Sequence, residues 1–515
     1  MNRFLAFGGI CTAALLAMTF AGSLRAASPA DGVIAYPRCP GDDVNKDYPS
    51  VTVNGMPVDT VMTGMNVGYA HFAFSGTATV EITAREAVGA FDLSPHRYGI
   101  KADKSGNKLT FTLSEPRKLH LKVNNLTRFF IFADGPEVNP PRPGQPGVYS
   151  LLGYGVISSP GEPQTAKVQK AIDDVAAKGG TLYVPAGIYR TGELRMKSNL
   201  TLYLAPGAML KGVDTLAEFP AGELGTQYIH LLDCENVKIK GRGVIDANGK
   251  ALRLANLGVS GARTKLVRAY RAKDCTVDDV ILRNSGTWSV HLVNSSLLRF
   301  TNYKLISATI MDGKFPEEPN TDGFDPDDSS HILIENGFIS TNDDAVAVKL
   351  HNGTHQDMDG IVFRGNVIWT CKSALKIGTE VNPGHKMTDI VFENNDIVHA
   401  DRGIVVYCYR GATIEGPKWI GNYFEYIGDD GKQQNIVLEI KDDKQLGLGY
   451  VNNATIKDCT FEKFSPGISE LTGGDGTHLI RGVTLENLMI AGQKRMSLSE
   501  AKIITNGYVA DIVFK

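Results

Sequence analysis

Two segments of the chain, NTDGFD at residues 320–325 and NDDAVAVK at residues 342–349, lie about one solenoid repeat apart. In a parallel β-solenoid, neighbouring coils stack about 4.8 Å apart. Asp322 would then lie beside Asp343 and Asp344, although the chain separates them. Ionised carboxylates this close repel one another, so we expect the pKa of at least one of them to rise.

A proton donor and a proton acceptor built from one residue type are what hydrolysis of a glycosidic bond requires. The alternative is that these aspartates cap turns, which is common for Asp beside Asn and Gly. Within a strand, Asp343 and Asp344 would point to opposite faces. Both can face one ligand only at a strand entry or a bulge, and the preceding residues 341–342 fit a turn.

A short motif recurs from Leu200 onward, in which a polar turn precedes alternating β-branched residues. Copies follow at intervals of roughly 22 to 34 residues, within the range of solenoid repeats. Examples are NLTL at 199–202, NVKI at 236–239, HILI at 331–334, DIVF at 389–392 and GVTL at 482–485. No long helical pattern interrupts them, which excludes a doubly wound α/β sheet. The pattern predicts an all-β chain folded as a right-handed parallel β-helix over residues 148–515.

The preceding region has a different organisation. Residues 30–138 contain short alternating stretches separated by turn residues, which is typical of antiparallel strands in a small β-sandwich. Residues 139–147, NPPRPGQPG, predict a stiff linker. Apolar residues at helical spacing predict a helix over Thr165–Ala177, ended by Gly179, which would cap the first coil of the solenoid.

The bulk composition narrows the possible partners. Residues 1–27 contain Arg3 and then an apolar run, as in a secretory signal, so we expect an exported protein. No other stretch is apolar and long enough to serve as a membrane anchor. The formal net charge of -3 gives no reason to expect nucleic acid as a partner. The cysteines show no CxxC spacing, and we expect neither a metal nor a cofactor.

Several motifs, in order along residues 148–515, resemble the polygalacturonase-type glycoside hydrolases of family 28. They are YVPAGIY at 183–189, NSGTWSVH at 284–291, NTD at 320–322, and the Asp343–Asp344 pair followed by Lys349. The dextranase and isopullulanase family, family 49, shares the three aspartates and an N-terminal β-sandwich. The resemblance implies a polysaccharide or oligosaccharide substrate. It also implies that Asp343 is the general acid, that Asp322 and Asp344 hold and deprotonate the attacking water, and that the reaction inverts the anomeric configuration.

Two departures from the family pattern bear on the substrate. Residues 372–374, KSA, stand where the family has Gly-His-Gly, and residues 405–407, VVY, stand where it has the Arg-Ile-Lys that grips a carboxylate. Losing that Arg and Lys weakens the case for galacturonate. We therefore expect a neutral sugar at the cleavage position, as in a dextran-like or another non-galacturonate glycan. Galacturonan hydrolysis, a polysaccharide lyase on the same scaffold and a non-catalytic carbohydrate-binding solenoid remain alternatives.

Other polar residues near the two segments are candidates for binding the substrate. Lys349 is expected to pair with Asp322 or Asp344, or to be solvated, and Lys376 is expected to pair with Glu380. The aspartates at 325–328 are interpreted as a charged turn rather than a calcium site. The insertion at 308–319 is predicted to form a wall of the groove. The candidate substrate-binding residues are Asn320, Lys349, Ser373, Lys376, Glu380, Arg402, Tyr407, Arg410 and His291.

Overall fold

The computed structural model describes residues 32–42, 49–63, 67–220, 225–307, 320–351, 354, 356–428 and 431–515. The expected signal at 1–27 and the insertion at 308–319 both lie outside the described residues. Among the helices of the described part, none has the length and apolar character needed to cross a membrane.

From residue 148 the chain forms a right-handed parallel β-helix, which confirms the predicted fold class. Each coil adds a strand to the long sheets, which we call sheets 1, 2 and 3, and later coils also add to a short sheet 4. The first complete coil, for example, consists of Thr181–Val184, Gly187–Thr191 and Leu194–Arg195.

The strands of each sheet follow chain order. Sheet 1 consists of Val148–Ser150, Thr181–Val184, Thr201–Leu204, Lys238–Gly241, Thr276–Asp278, Arg299–Thr301, Ile332–Glu335, Ile361–Arg364, Ile390–Glu393, Lys418–Ile420, Thr455–Lys457, Thr484–Glu486 and Val513–Phe514. Sheet 2 consists of Ser159–Pro163, Gly187–Thr191, Ala208–Gly212, Val244–Asp246, Ile281–Arg283, Lys304–Ser307, Phe338–Thr341, Val367–Thr370, Asp396–His399, Tyr423–Phe424, Thr460–Phe461, Met489–Ile490 and Gln493–Lys494. Sheet 3 consists of Leu194–Arg195, Gln227–Leu232, Lys265–Tyr270, Val290–Val293, Phe324–Asp327, Ala347–Leu350, Ser373–Val381, Arg402–Tyr409, Gln434–Lys441, Ser469–Thr472 and Ile503–Thr505. Sheet 4 consists of Lys386–Met387, Thr413–Glu415, Tyr450–Asn452, Ile480–Arg481 and Val509–Ala510.

The interior of the β-helix is a set of apolar stacks. In sheet 1, Leu182 lies beside Leu202, which lies beside Ile239, and the same inward position is apolar in every later coil. That stack continues through Val277, Phe300, Ile334, Phe363, Phe392, Trp419, Ile456, Leu485 and Phe514. Because the strands stay in register, an apolar residue recurs at the same depth in each coil and buries its surface against its neighbours.

The turns between strands explain the recurring Asn and Asp. Asn236, Asn336 and Asn394 each adopt a positive φ, which Asn tolerates better than most residues. Deeper in the wall, Asn366 donates to Asn395 at 3.1 Å and Asn395 donates to Asn422 at 2.9 Å. These amides satisfy polar groups that the coils bury.

The first coil is covered by the helix Thr165–Ala176, which ends one residue earlier than the sequence pattern indicates. Its buried face, including Val168, Ile172 and Val175, packs against the same core as Leu182. Other helical segments are the α-helices Gly249–Ala255 and Leu498–Ala501, and the 3₁₀ turns His96–Tyr98, Leu151–Tyr154, Leu216–Glu218 and Ser260–Ala262.

The N-terminal region forms two facing sheets around a separate apolar core. One sheet contains Val33–Ala35, Thr60–Thr63, Val67–Phe74, Leu126–Asp134, Arg117–Val123 and Phe91–Ser94; the other contains Met56–Val58, Ser50–Val53, Ala78–Thr83, Lys108–Leu113 and Asp103–Ser105. The pairing is antiparallel except between Leu126–Asp134 and Val67–Phe74, which run parallel. The sandwich packs on sheet 2 of the β-helix, where the rings of Phe130 and Phe338 lie 4.4 Å apart.

Candidate active site

One row of residues at the start of the sheet 3 strands organises the candidate site. Val267 pairs with Val290, Val290 with Phe324, and Phe324 with Val346. The residues two positions earlier in the chain are Lys265, Trp288, Asp322 and Asp344. They therefore occupy the same register position on four successive coils. The row continues through Ser373 and Arg402, which pair with each other.

Asp343 and Asp344 lie in the bend between Phe338–Thr341 of sheet 2 and Ala347–Leu350 of sheet 3. This is the strand entry that would let both face one ligand. Carboxyl oxygens of Asp322, Asp343 and Asp344 lie within 4.8 Å of one another. Asp322 and Asp344 are 4% and 3% exposed, whereas Asp343 is half-buried.

Gly323 permits this close approach. Its amide donates to the carbonyl of Asp344 at 2.8 Å, and a Cβ at Gly323 would lie only 2.3 Å from the carbonyl oxygen of Ala345. A side chain there would push apart the two coils that carry the carboxylates.

Asp344 is surrounded by donors. Lys376 Nζ donates to Oδ2 at 2.6 Å, the amide of Ser373 donates to Oδ1 at 2.8 Å, and Arg402 Nη2 lies 3.9 Å from Oδ1. Burial opposes ionisation of Asp344, but the charges of Lys376 and Arg402 outweigh it and hold the pKa of Asp344 below its usual range. Asp344 is therefore the ionised member of the group.

Asp322 and Asp343 are shifted in the opposite direction. Burial, together with the charges of Asp343 and Asp325, raises the pKa of Asp322 well above its usual value. Within the described residues, Asp322 Oδ1 accepts no hydrogen bond. Burial and the charge of Asp344 also raise the pKa of Asp343, which accepts from Asn320 Nδ2 at 3.1 Å. The site thus combines protonated and ionised carboxyl groups at one place.

The three carboxylates open into a cavity of about 560 Å³. Acidic residues occupy its centre, and cationic residues occupy both ends. Its described lining is Gly225, Ser260, Arg263, Lys265, Thr287, Trp288, His291, Asn320, Asp322, Asp343, Asp344, Lys349, His351, Lys376, Thr379 and Glu380.

The expected ion pairs around the site are wrong in detail. Lys376 pairs with Asp344 rather than with Glu380. Lys349 pairs with Glu380 at 2.8 Å and with Asp325 at 3.6 Å, not with Asp322 or Asp344, and it is buried rather than solvated. The pairing of Lys349 with Glu380 follows from an irregularity between the strands Ala347–Leu350 and Ser373–Val381, which displaces Glu380 toward Lys349.

The aspartates at 325–328 do not form a charged turn, because Phe324–Asp327 is a buried strand. Asp327 accepts from the amide of His351 at 2.8 Å and lies 3.1 Å from His291 Nε2. Burial lowers the pKa of His291 to about 4, so its ring is neutral at neutral pH. The ring lies against that of Trp288, with their centroids 4.8 Å apart.

Four candidate binding residues are absent from the described lining of the cavity. Ser373 and Arg402 lie behind Asp344, and Arg402 Nε donates to Ser373 Oγ at 3.1 Å. Tyr407 is 6% exposed. Arg410 is buried and donates through Nε to Asp443 at 3.0 Å, so the structure does not bring it to this cavity.

Sequence reasoning missed the cationic residues of the preceding coil, Arg263 and Lys265. The signal was present in the repeat, because Lys265 lies one coil before Trp288 at the same register. Following the coil backward from Asp322 would have located it.

Comparisons with known proteins point to one enzyme family. Residues 176–418 match the family model described as "Glycosyl hydrolases family 28". The resemblance to family 28 is confirmed. A similar curated protein is a probable polygalacturonase of Vitis vinifera, 26% identical over 317 residues that cover 53% of this chain and 63% of that protein. The chain spans about half to two-thirds of the length of the curated relatives that it matches. These matches support a glycoside hydrolase.

Two solved structures have the same fold as this chain. An exopolygalacturonase from Thermotoga maritima has a TM-score of 0.56 at 19% identity, and the match covers 73% of this chain and 93% of that one. Dex49A from Penicillium minioluteum has a TM-score of 0.61 at 14% identity, and the match covers 94% of this chain and 99% of that one. The second match therefore extends into the N-terminal sandwich.

Proposed function

We propose that the protein is an exported hydrolase that cleaves glycosidic bonds of a galacturonan-type polysaccharide by inversion. The main support for the proposal is that Asp322, Asp343 and Asp344 lie together in one cavity. The pKa values of Asp322 and Asp343 are raised, and that of Asp344 is lowered. Carboxyl groups whose pKa values differ in this way supply both the acid and the base of glycoside hydrolysis.

In this mechanism Asp343 donates its proton to the leaving glycosidic oxygen. It is the half-buried member of the three, and its raised pKa favours the protonated form. Asp344, kept ionised by Lys376, takes up the proton of the attacking water, and Asp322 helps to hold that water in place. Inversion is what the family resemblance implies, and proton NMR of the first-formed anomer tests it directly.

A galacturonan-type substrate is favoured over the neutral sugar expected from the sequence. The similar protein from Vitis vinifera is named a probable polygalacturonase. The neutral expectation relied on the loss of two cations at Val405 and Tyr407, but other residues restore positive charge at that place. The Nζ atoms of Lys376 and Lys432 lie 5.6 Å and 5.1 Å from the Tyr407 ring, and the guanidinium carbon of Arg402 lies 5.9 Å from it.

Export is proposed from the apolar leader at residues 1–27. The first residue of the protein recovered outside the cell tests this point. A leader that is cleaved near Ala27 supports it, and retention of the intact chain in the cell contradicts it.

Incubation with polygalacturonate and with dextran tests the reaction. We expect new reducing ends from polygalacturonate, with products that contain one added water per bond cleaved. Asp343→Asn should lower the rate more than about 1,000-fold, as removal of a general acid does, while circular dichroism shows an unchanged fold.

Other outcomes would contradict the proposal in distinct ways. Products that absorb in the ultraviolet and disappear on chelation indicate a lyase. Cleavage of dextran alone restores the neutral-glycan hypothesis. Binding without cleavage by the unmodified protein indicates a non-catalytic solenoid.

A further inference from the structure

The end of the cavity formed by the coils before Asp322 carries two cationic side chains that the mechanism does not use. Arg263 precedes the strand Lys265–Tyr270 of sheet 3, and Lys265 begins it. Both line the cavity. In the row that runs through Trp288, Lys265 lies two strand spacings from Asp322, or about 9.6 Å. A sugar bound there is a neighbour of the one at the carboxylates.

Arg263 is held in a fixed orientation at this end. Its Nη2 donates to Asn320 Oδ1 at 2.8 Å and to Thr287 Oγ1 at 3.3 Å. Asn320 in turn donates to the general acid, Asp343. A guanidinium oriented by its neighbours can present parallel N–H groups to a carboxylate, which gives directional recognition.

Lys265 stands in a crowded cationic environment. Burial and the nearby charges of Arg268 and Arg263 together lower the pKa of Lys265 to about 8, while the charge of Asp325 opposes them. An anion bound at this end would offset the repulsion among these cations.

Along the row, Trp288 lies between Lys265 and Asp322. Its ring is partly exposed in the cavity, and the Nζ atoms of Lys265 and Lys349 lie 5.8 Å and 4.5 Å from its centroid. The ring offers an apolar face next to the two cationic groups. The carboxylates at the centre repel an anionic group of the substrate, so its charge is best placed at the cationic end.

We propose that Arg263 and Lys265 bind the carboxylate of a uronic acid residue next to the cleaved bond, on the side of the N-terminal coils, and thereby select acidic over neutral chains. This assignment rests on the proposed function, because it concerns the same groove. It makes these two residues specificity determinants and leaves the proton transfers to the aspartates.

Kinetics with two forms of one substrate test the assignment. Saturated oligogalacturonates and their methyl esters have the same backbone and differ in charge. In Lys265→Met we expect KM for the acidic form to rise about 10- to 100-fold, as loss of a charge-assisted hydrogen bond does, with kcat little changed. KM for the methyl ester should stay within about twofold. Lys265→Arg should keep the preference for the acidic form, and Lys494→Met, at an exposed lysine of the last coils, serves as the matched control.

Calorimetry measures substrate binding without cleavage, so it tests this subsite independently of the proposed reaction. Asp343→Asn is the background, and the probes are the acidic oligosaccharide and its methyl ester. Selective loss of acidic-oligosaccharide binding on adding Lys265→Met supports the subsite, even if the unmodified protein fails to cleave galacturonan. Equal losses for both probes, no loss for either, or no binding of the acidic probe to the background variant would overturn the subsite, even where cleavage is observed.

Discussion

The contact between the sandwich and the β-helix, and the cavity on sheet 3, both bury charged groups, but they arrange the charges in opposite ways. At the contact, one carboxylate, Asp134, is surrounded by cations. Lys304 Nζ and Arg242 Nη1 each lie 2.5 Å from its Oδ2, and His71 Nε2 lies 2.8 Å away. In the cavity, three carboxylates crowd together, and the nearest cations favour only Asp344.

The pKa values follow from this arrangement. Burial opposes ionisation of Asp134, but Lys304 and the other cations hold its pKa well below the usual value. Burial and like charges raise the pKa of Asp322 instead. Surrounding a carboxylate with cations stabilises the fold, whereas crowding carboxylates costs stability and supplies protonated groups for chemistry.

The largest expected effect is at the crowded site. Asp322→Asn should lower kcat more than about 1,000-fold, because the attacking water loses the carboxyl group that helps to hold it. The same change should raise the free energy of unfolding at pH 7 by about 1 kcal/mol, because it removes a carboxylate that the folded state resists ionising. Sugar-release kinetics and urea unfolding measure the two quantities.

The pH dependence provides the control for Asp322→Asn. The carboxyl group of Asp322 has a raised pKa in the folded state, so its cost appears above the unfolded pKa of about 3.9 and grows with pH. The stability gain should therefore vanish below about pH 4. A gain that is equal at all pH values would show that repulsion is not its cause.

The next effect is at the contact between the sandwich and the β-helix. Asp134→Asn should lower the free energy of unfolding by about 3 kcal/mol, because the buried cations Lys304 and Arg242 lose their nearest counter-charge, although both retain Asp279. Urea unfolding measures the change. Asp233→Asn, which breaks an exposed pair with Arg271, should cost less than about 1 kcal/mol. Equal losses in the two variants would refute the distinction between the clusters.

The smallest expected effect tests whether Asp344, and not Asp322 or Asp343, is the ionised carboxyl group. Lys376→Met removes the main cation that keeps the pKa of Asp344 low, so Asp344 becomes protonated at higher pH. The acidic limb of the kcat/KM profile should therefore move to higher pH by about one to three pH units, while Lys376→Arg should keep it in place. An unchanged acidic limb in Lys376→Met would exclude Asp344 as the ionised group.

The sequence predicts the solenoid and the proximity of the three aspartates, because both follow from the length of the repeat. NTDGFD and NDDAVAVK lie one coil apart, and stacking then brings their carboxylates together without further information. Roles for Asp322, Asp343 and Asp344 came from the family resemblance, and they stay predictions until they are tested.

What the sequence did not predict depends on departures from the regular coil. The irregularity between Ala347–Leu350 and Ser373–Val381 brings Glu380 beside Lys349, and no local pattern indicates it. The parallel pair in the sandwich joins Val67–Phe74 to Leu126–Asp134, which are far apart in the sequence. Two of the cations near Tyr407, Lys376 and Lys432, come from neighbouring coils, so a comparison of residues 405–407 alone could not reveal them.

The last strand of sheet 2 has a consequence for how the molecules behave in solution. Gln493–Lys494 turns back and runs antiparallel to Met489–Ile490, unlike the strands that precede it. A second copy stacked end to end in the same orientation would therefore meet a short, reversed strand rather than a continuing template. At sheet 2, this hairpin therefore disfavours the end-to-end stacking of two β-helices in one continuous register.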